Sequence, residues 1–254
     1  LRSEVKNKTL TDNAYIKWSV FKNGYATYDA SSNNTFIIDY AFKKLRQQGV
    51  EILANISCSP SRFPLSGDTD WANKWEIWQH YYAQAYYLAK TYDVARYGIM
   101  NEPNNWSPSI TPSQWLSRLR ITSDAIQSAI ADVNAANASL SPPKPQLVPQ
   151  IFAPNTANGA SKYDTTGDNW GQVAVQNRHL TLDGLVSSSW RNFHIYNYQK
   201  YSRQQKDTPT ATGYIDDYNL LKSKIAGDLS ASGETLSLAL TEFNSRTGSN
   251  YDAT

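Results

Sequence analysis

The sequence predicts an α/β fold in which one parallel sheet is covered by helices. Short β-rich segments alternate with longer segments of helical periodicity along the 254 residues. Successive strands are separated by enough chain for a crossover helix, which parallel pairing requires. No internal repeat and no long linker divides the chain, so residues 1–254 are expected to form one domain. With 40% hydrophobic and 18% charged residues, the chain is long and apolar enough to bury its own core.

The elements follow in order. Phe36, Ile37, Tyr40, Ala41 and Leu45 recur at helical spacing over Phe36–Gln48, and Gly49 stands where a C-terminal cap belongs. Val50–Ser57 is β-rich and runs into Ser-Cys-Ser-Pro, as a buried strand entering a loop would. Trp75, Trp78, Tyr82, Ala85, Tyr86 and Ala89 mark one face of a second helix, and Arg96–Met100 is the next strand. Thr111-Pro112 supplies an N-cap followed by proline at the first helical position. Trp115, Leu119, Ile126, Ile130 and Val133 then form the apolar stripe of a third helix, which the Pro-rich Ser141–Pro145 closes. Further strands are predicted at Gln146–Ala153, Asn192–Tyr198 and Thr235–Phe243, with a helix marked by Tyr214, Tyr218, Leu221 and Ile225 before the last. Pro149 weakens the first of these. Asn155–Leu182 is polar and weakly patterned, the kind of long excursion that shapes a substrate side.

Composition removes several function classes. A net charge of +2 with mixed signs argues against a nucleic-acid binder or a polybasic membrane anchor. No apolar run reaches the length of a membrane span, and LRSEVKNKTL has no apolar signal stretch. One cysteine, Cys58, and three scattered histidines give neither a disulfide framework nor a metal motif, so neither metal nor cofactor is expected. Eight Trp and seventeen Tyr suit the C–H faces of sugars, although core packing outweighs that reading for any single ring.

Reactive groups of parallel α/β folds sit at the carboxyl ends of strands. Here those ends read Ser57-Cys58-Ser59-Pro60, Asn101-Glu102-Pro103-Asn104, Ala153-Pro154-Asn155-Thr156, His194-Ile195-Tyr196-Asn197-Tyr198 and Thr241-Glu242-Phe243-Asn244. Of six glutamates, Glu4, Glu51, Glu76 and Glu234 fall in a terminus, a strand start, a helix and a turn. Glu102 and Glu242 each follow an apolar strand, where a carboxylate is costly to bury without partners or purpose. A pair of carboxyl groups facing one another is what glycosidic bond cleavage needs, one donating a proton and the other attacking the anomeric carbon. The alternative is that one or both form buried structural ion pairs.

Asn101-Glu102-Pro103, His194-x-Tyr196 and Thr241-Glu242-Phe243, in that order, resemble the strand-four, strand-six and strand-seven signatures of clan A glycoside hydrolases. The resemblance spans roughly residues 36 to 246 and implies a (β/α)8 barrel acting with retention. IMNEPNNW and LTEFNSRTGSNYD most resemble the β-agarase/β-porphyranase family. It implies Glu102 as general acid/base and Glu242 as nucleophile, with Asn101 on the sugar 2-hydroxyl, Tyr196 on the nucleophile and His194 near the acid/base. The residues themselves allow these roles: an Asn amide both donates and accepts, though it also readily caps its own turn. His194 reads equally as a core histidine. Tyr196 and Tyr198 share one side of their strand. Trp106 is a candidate sugar platform or a core ring, and Asn155 lies at a strand end among the candidate substrate contacts. Arg62 and Arg246 are candidates for a sulfate if the polysaccharide is porphyran. The expected partner is a polysaccharide met by a monomer, secreted, periplasmic or at the cell surface. Plant xylan or β-glucan as substrate, and a non-catalytic carbohydrate-binding barrel, are the competing readings. Only 12 residues follow Glu242 and 49 precede Val50, so the chain is expected to be a barrel fragment running from about strand two to just past strand seven.

Overall fold

The computed structural model describes residues 38–57, 60, 61, 63–65, 71–106, 108–202 and 214–245. Cys58, Arg62 and Arg246 lie outside them, as does Tyr15–Phe21, the one segment before Val50 with a strand-like sequence. The described elements alternate: α1 (Ile38–Gln47), β1 (Leu53–Ile56), α2 (Trp71–Tyr92), β2 (Arg96–Ile99), α3 (Pro112–Ala138), β3 (Gln150–Thr156), α4 (Trp170–Gln176), β4 (Ile195–Ser202), α5 (Tyr214–Leu229) and β5 (Ser237–Ser245). Single 3-10 turns at Pro103–Asn105 and Gly159–Lys162 follow β2 and β3. The five strands form one sheet in the order β1-β2-β3-β4-β5, every pair parallel. This is the predicted α/β architecture.

Alternation along each strand separates two faces. Ala54, Ile56, Tyr97, Ile99, Ile151, Ala153, Tyr196 and Tyr198 are buried. The register aligns them across the sheet as Ala54↔Tyr97↔Ile151 and Ala153↔Tyr196. Tyr97 fixes which face this is, because its hydroxyl donates to Ala85 O (3.1 Å) on α2. The opposite, inner face carries Asn55, Gly98, Phe152, Asn197 and Gln199 by the same register. At Gly98 an added Cβ would lie 3.3 Å from Asn55 Cγ, so the small residue gives that asparagine its room.

Most described aromatic rings serve the helix layer. On α2, Trp78 and Tyr82 stack at 4.9 Å, and Tyr82 and Tyr86 at 5.9 Å, an (i, i+4) ladder down one helix face. Their polar atoms find partners on α3: Trp78 Nε1 donates to Asp124 (2.6 Å) and the Tyr82 hydroxyl to Asp132 (3.2 Å). Buried Trp115, Leu119, Ile126, Ile130 and Val133 are the predicted stripe of α3.

The strand boundaries move, β3 and β4 for local reasons. β3 starts at Gln150 rather than Gln146, because Pro149 has no N–H to give and the Gln150 N–H makes the bond to Ala95 O (2.8 Å). Pro154 is tolerated within β3 because pairing with β2 has already ended at Phe152. β4 starts at Ile195 rather than Asn192, whose N–H is committed to Arg178 O (2.7 Å) in the preceding loop. It then continues through Gln199–Ser202, which pair with Glu242–Ser245. The unpatterned excursion holds α4, whose buried Trp170 meets Trp115 edge-on at 6.1 Å.

Candidate active site

Two register shifts shape the carboxyl end of the sheet. Pro154 pairs with Asn197 and Thr156 with Tyr198, leaving Asn155 as an extra residue in β3. Tyr198 pairs with Leu240 and Gln199 with Glu242, leaving Thr241 as the extra residue in β5. A bulge of this kind re-aims a side chain, and both of these turn toward the inner face. Asn155 Oδ1 accepts from Asn197 Nδ2 (3.0 Å), Gln199 Nε2 (3.3 Å) and Thr241 Oγ1 (3.3 Å). Its Nδ2 donates to Met100 O (3.0 Å) and Asn101 Oδ1 (3.3 Å). Gln199 Nε2 also reaches Asn101 Oδ1 at 2.7 Å.

These bonds report curvature. Gln199 on β4 touches Asn101 at the end of β2 across β3, and Thr241 on β5 touches Asn155 on β3 across β4. In a flat sheet, strands two apart are separated by about 10 Å. Short amide and hydroxyl side chains span that gap on a concave inner face, the curvature of a barrel wall.

Both candidate glutamates flank this network. Glu102 follows Asn101 and opens the 3-10 turn with φ 44° and ψ 58°, a left-handed conformation costly for a residue with a Cβ. Its N–H donates to Asn155 O (3.1 Å), and its carboxylate accepts from Asn105 Nδ2 (3.1 Å). Met100 and Asn155 also have positive φ, both 56°, so left-handed backbone gathers at these strand ends. Glu242 is exposed, and its pairing with Gln199 puts it on the inner face. Asn104 Oδ1 accepts from Ala157 N (3.0 Å), tying the loop after β2 to the one after β3.

The other sequence candidates separate. Asn101 and Asn155 meet in the network. Trp106 is half-buried against the core, and its Nε1 donates to Asn101 O (2.5 Å), so its polar edge braces the loop that carries Glu102. Tyr196 and Tyr198 do share a side, but it is the helix side. Tyr196 is completely buried, its ring 6.0 Å from that of Tyr163 and its hydroxyl beside Gly171 of α4, and among the described residues that hydroxyl has no hydrogen-bond partner. Burial pushes its pKa far above the ordinary value, with Asp217 adding to the effect. A role at the nucleophile does not fit this position, because pairing with Ala153 and Leu238 points Tyr196 away from the inner face. Tyr198 packs over Gly159, and burial raises its pKa to about 12.

His194 stands at the other end of the sheet. It precedes β4, its N–H donates to Ile151 O (2.8 Å), and its Nδ1 accepts from Ile151 N (3.1 Å). From there to Gln199 is about 16 Å along the strand, so the expected place beside the acid/base is not where it lies. Near it, a cavity of about 390 Å³ is lined by Arg178, Arg191, His194 and Glu234. Glu234 is paired with both arginines, as a structural carboxylate is.

Asn197 and Thr241, read at strand ends, and Gln199 carry no role on sequence grounds. Asn197 and Gln199 are polar residues two apart on a strand whose tyrosines alternate with them, a period-two signal that marks the inner face once the outer one is known. Among the described residues no group of three or more His, Cys, Asp or Glu is placed to hold a metal ion, and no helix is long and apolar enough to cross a membrane.

The sequence matches no family model and no curated protein. Its fold is similar to that of a Paenibacillus polymyxa xyloglucanase from glycoside hydrolase family 44, with TM-score 0.51 and 10% identity over 88% of this chain and 56% of that one. The chain therefore spans just over half the length of that enzyme. The likeness defines the architectural class: the described strands and helices fit part of a (β/α)8 barrel. Nothing in these comparisons points to an agarase or a porphyranase.

Proposed function

We propose that this chain is the catalytic barrel part of a retaining endo-glycoside hydrolase that cleaves a β-linked polysaccharide through Glu102 and Glu242. The observation that carries this is that Glu102, just past the end of β2, and Glu242, in the C-terminal half of β5, flank one amide network on a concave face. Protonated Glu102 donates to the glycosidic oxygen while the Glu242 carboxylate attacks the anomeric carbon. Glu102, now ionised, takes a proton from water, which releases the sugar from Glu242 with net retention. Asn101 grips the 2-hydroxyl, a bond that strengthens as positive charge develops on the ring. A non-catalytic binding cleft would have no use for two carboxyl groups flanking one network.

For the substrate, the resemblance of IMNEPNNW and LTEFNSRTGSNYD favours a red-algal galactan, agarose or porphyran. The fold likeness to a xyloglucanase favours a plant β-glucan or xylan instead. Polymers of this size do not enter cells, so the protein is proposed to act as a monomer outside the cytoplasm, with no cofactor. Incubation with agarose, porphyran, xylan and β-glucan, reading released reducing ends, tests the proposal. One of the four is expected to be cut, with Glu102→Gln and Glu242→Gln each lowering the rate on the order of 10³-fold. Release unaffected by either change would overturn it.

A further inference from the structure

We propose that Asn155 and Gln199 are positioning residues that hold the Asn101 carboxamide with its oxygen turned inward and its NH2 turned into the cleft, so that Asn101 meets substrate only as a hydrogen-bond donor. The polarity follows from one backbone atom. The two ends of an amide side chain have nearly the same shape, so their orientation must be read from their partners. A backbone carbonyl only accepts, so the Asn155 atom 3.0 Å from Met100 O is Nδ2. That same NH2 reaches Asn101 at 3.3 Å, and the atom it meets must therefore be Oδ1. The opposite end of Asn155 is then its oxygen, which accepts from Asn197, Gln199 and Thr241. Gln199 lies between this oxygen and Asn101 Oδ1, two acceptors, so its NH2 faces both.

Reversing Asn101 would replace two hydrogen bonds by two donor–donor contacts at buried partners. Asn155 and Gln199 are 2% and 1% exposed, so water cannot relieve the mismatch. Asn101 itself is exposed, and among the described residues nothing accepts from its Nδ2. The substrate atom that meets Asn101 must therefore offer a lone pair, as the oxygen of a sugar hydroxyl does. This consequence for substrate rests on the proposed function; the polarity of the amide does not.

Side-chain amide NMR of the 15N-labelled protein tests the inference without requiring activity. The Asn101 pair is identified by its absence from Asn101→Asp, a change at an exposed side chain that keeps an inward-facing oxygen. Its hydrogens are expected to exchange with water at least 100-fold faster than those of Asn155 and Gln199. In Gln199→Met, which removes one of the two donors to Oδ1, the order parameter of the Asn101 NH2 is expected to fall. Asn101 hydrogens as protected as those of Asn155 would overturn the polarity, and this arm needs no change in the buried network. An unchanged order parameter in a folded Gln199→Met would overturn the positioning role. If no polysaccharide is cut while these signals behave as expected, the functional reading fails and the inference stands.

Discussion

His194 illustrates how one residue answers to its neighbours rather than to its motif. Its Nδ1 accepts a backbone N–H from Ile151, so the ring that fits is neutral, with its proton on Nε2. Burial, followed by the charge of Arg191, lowers its pKa below the ordinary 6.5. Its contribution to stability is complete above the unfolded value and is lost as pH falls through it, because the unfolded chain takes up the proton first. Of the three histidine Hε1 signals, that of His194 should titrate below 6.5 in a proton NMR series. His194→Gln should correspondingly flatten the loss of urea stability between about pH 7 and pH 5. A His194 midpoint at or above 6.5 would contradict this account. Asn155 shows the converse case: chosen from the sequence for lying at a strand end, it proves to be the centre of the network because a bulge turns it inward.

At the scale of elements, α3 is the helix most fully specified by its sequence. The Thr111 side chain accepts from Gln114 N (3.2 Å), Gln114 Oε1 accepts from Thr111 N (2.9 Å), and proline follows at the first helical position. Thr111→Ala should cost about 1 kcal/mol of unfolding free energy, read as a lower urea midpoint at constant m-value. No shift would mean that packing of the buried stripe alone sets this end of the helix. Periodicity, caps and Gly/Pro punctuation act within a few residues, so the order and kind of the elements were legible, except for α4 in the weakly patterned excursion. The starts of β3 and β4 were not, because Gln150 and Asn192 are placed by partners distant in sequence, Ala95 and Arg178. The same limit governs the site. Glu102, Glu242, Asn101 and Asn155 could be chosen because polar residues after apolar strands stand out. The face taken by Tyr196, and the meeting of Gln199 with Asn101, depend on sheet register and curvature, which no local window contains.

For the whole molecule, the decisive relation joins strands that are not neighbours. Cross-strand bonds from β4 to β2 and from β5 to β3 show an inner face curved enough to gather residues nearly 100 positions apart, as Asn101 and Gln199 are. Among the described residues, most tyrosines and tryptophans pack into the helix-covered core rather than lining the inner face. The central claim is that Glu242 attacks and Glu102 manages the proton. The most direct test is to run Glu242→Gly with added azide on an aryl β-glycoside carrying a good leaving group, and to read the anomeric configuration of the product by NMR. The small residue admits azide from the face the carboxylate occupied, so the account predicts activity restored by azide and a glycosyl azide of inverted, α configuration. A retained β-azide, or turnover that needs no azide, would contradict it.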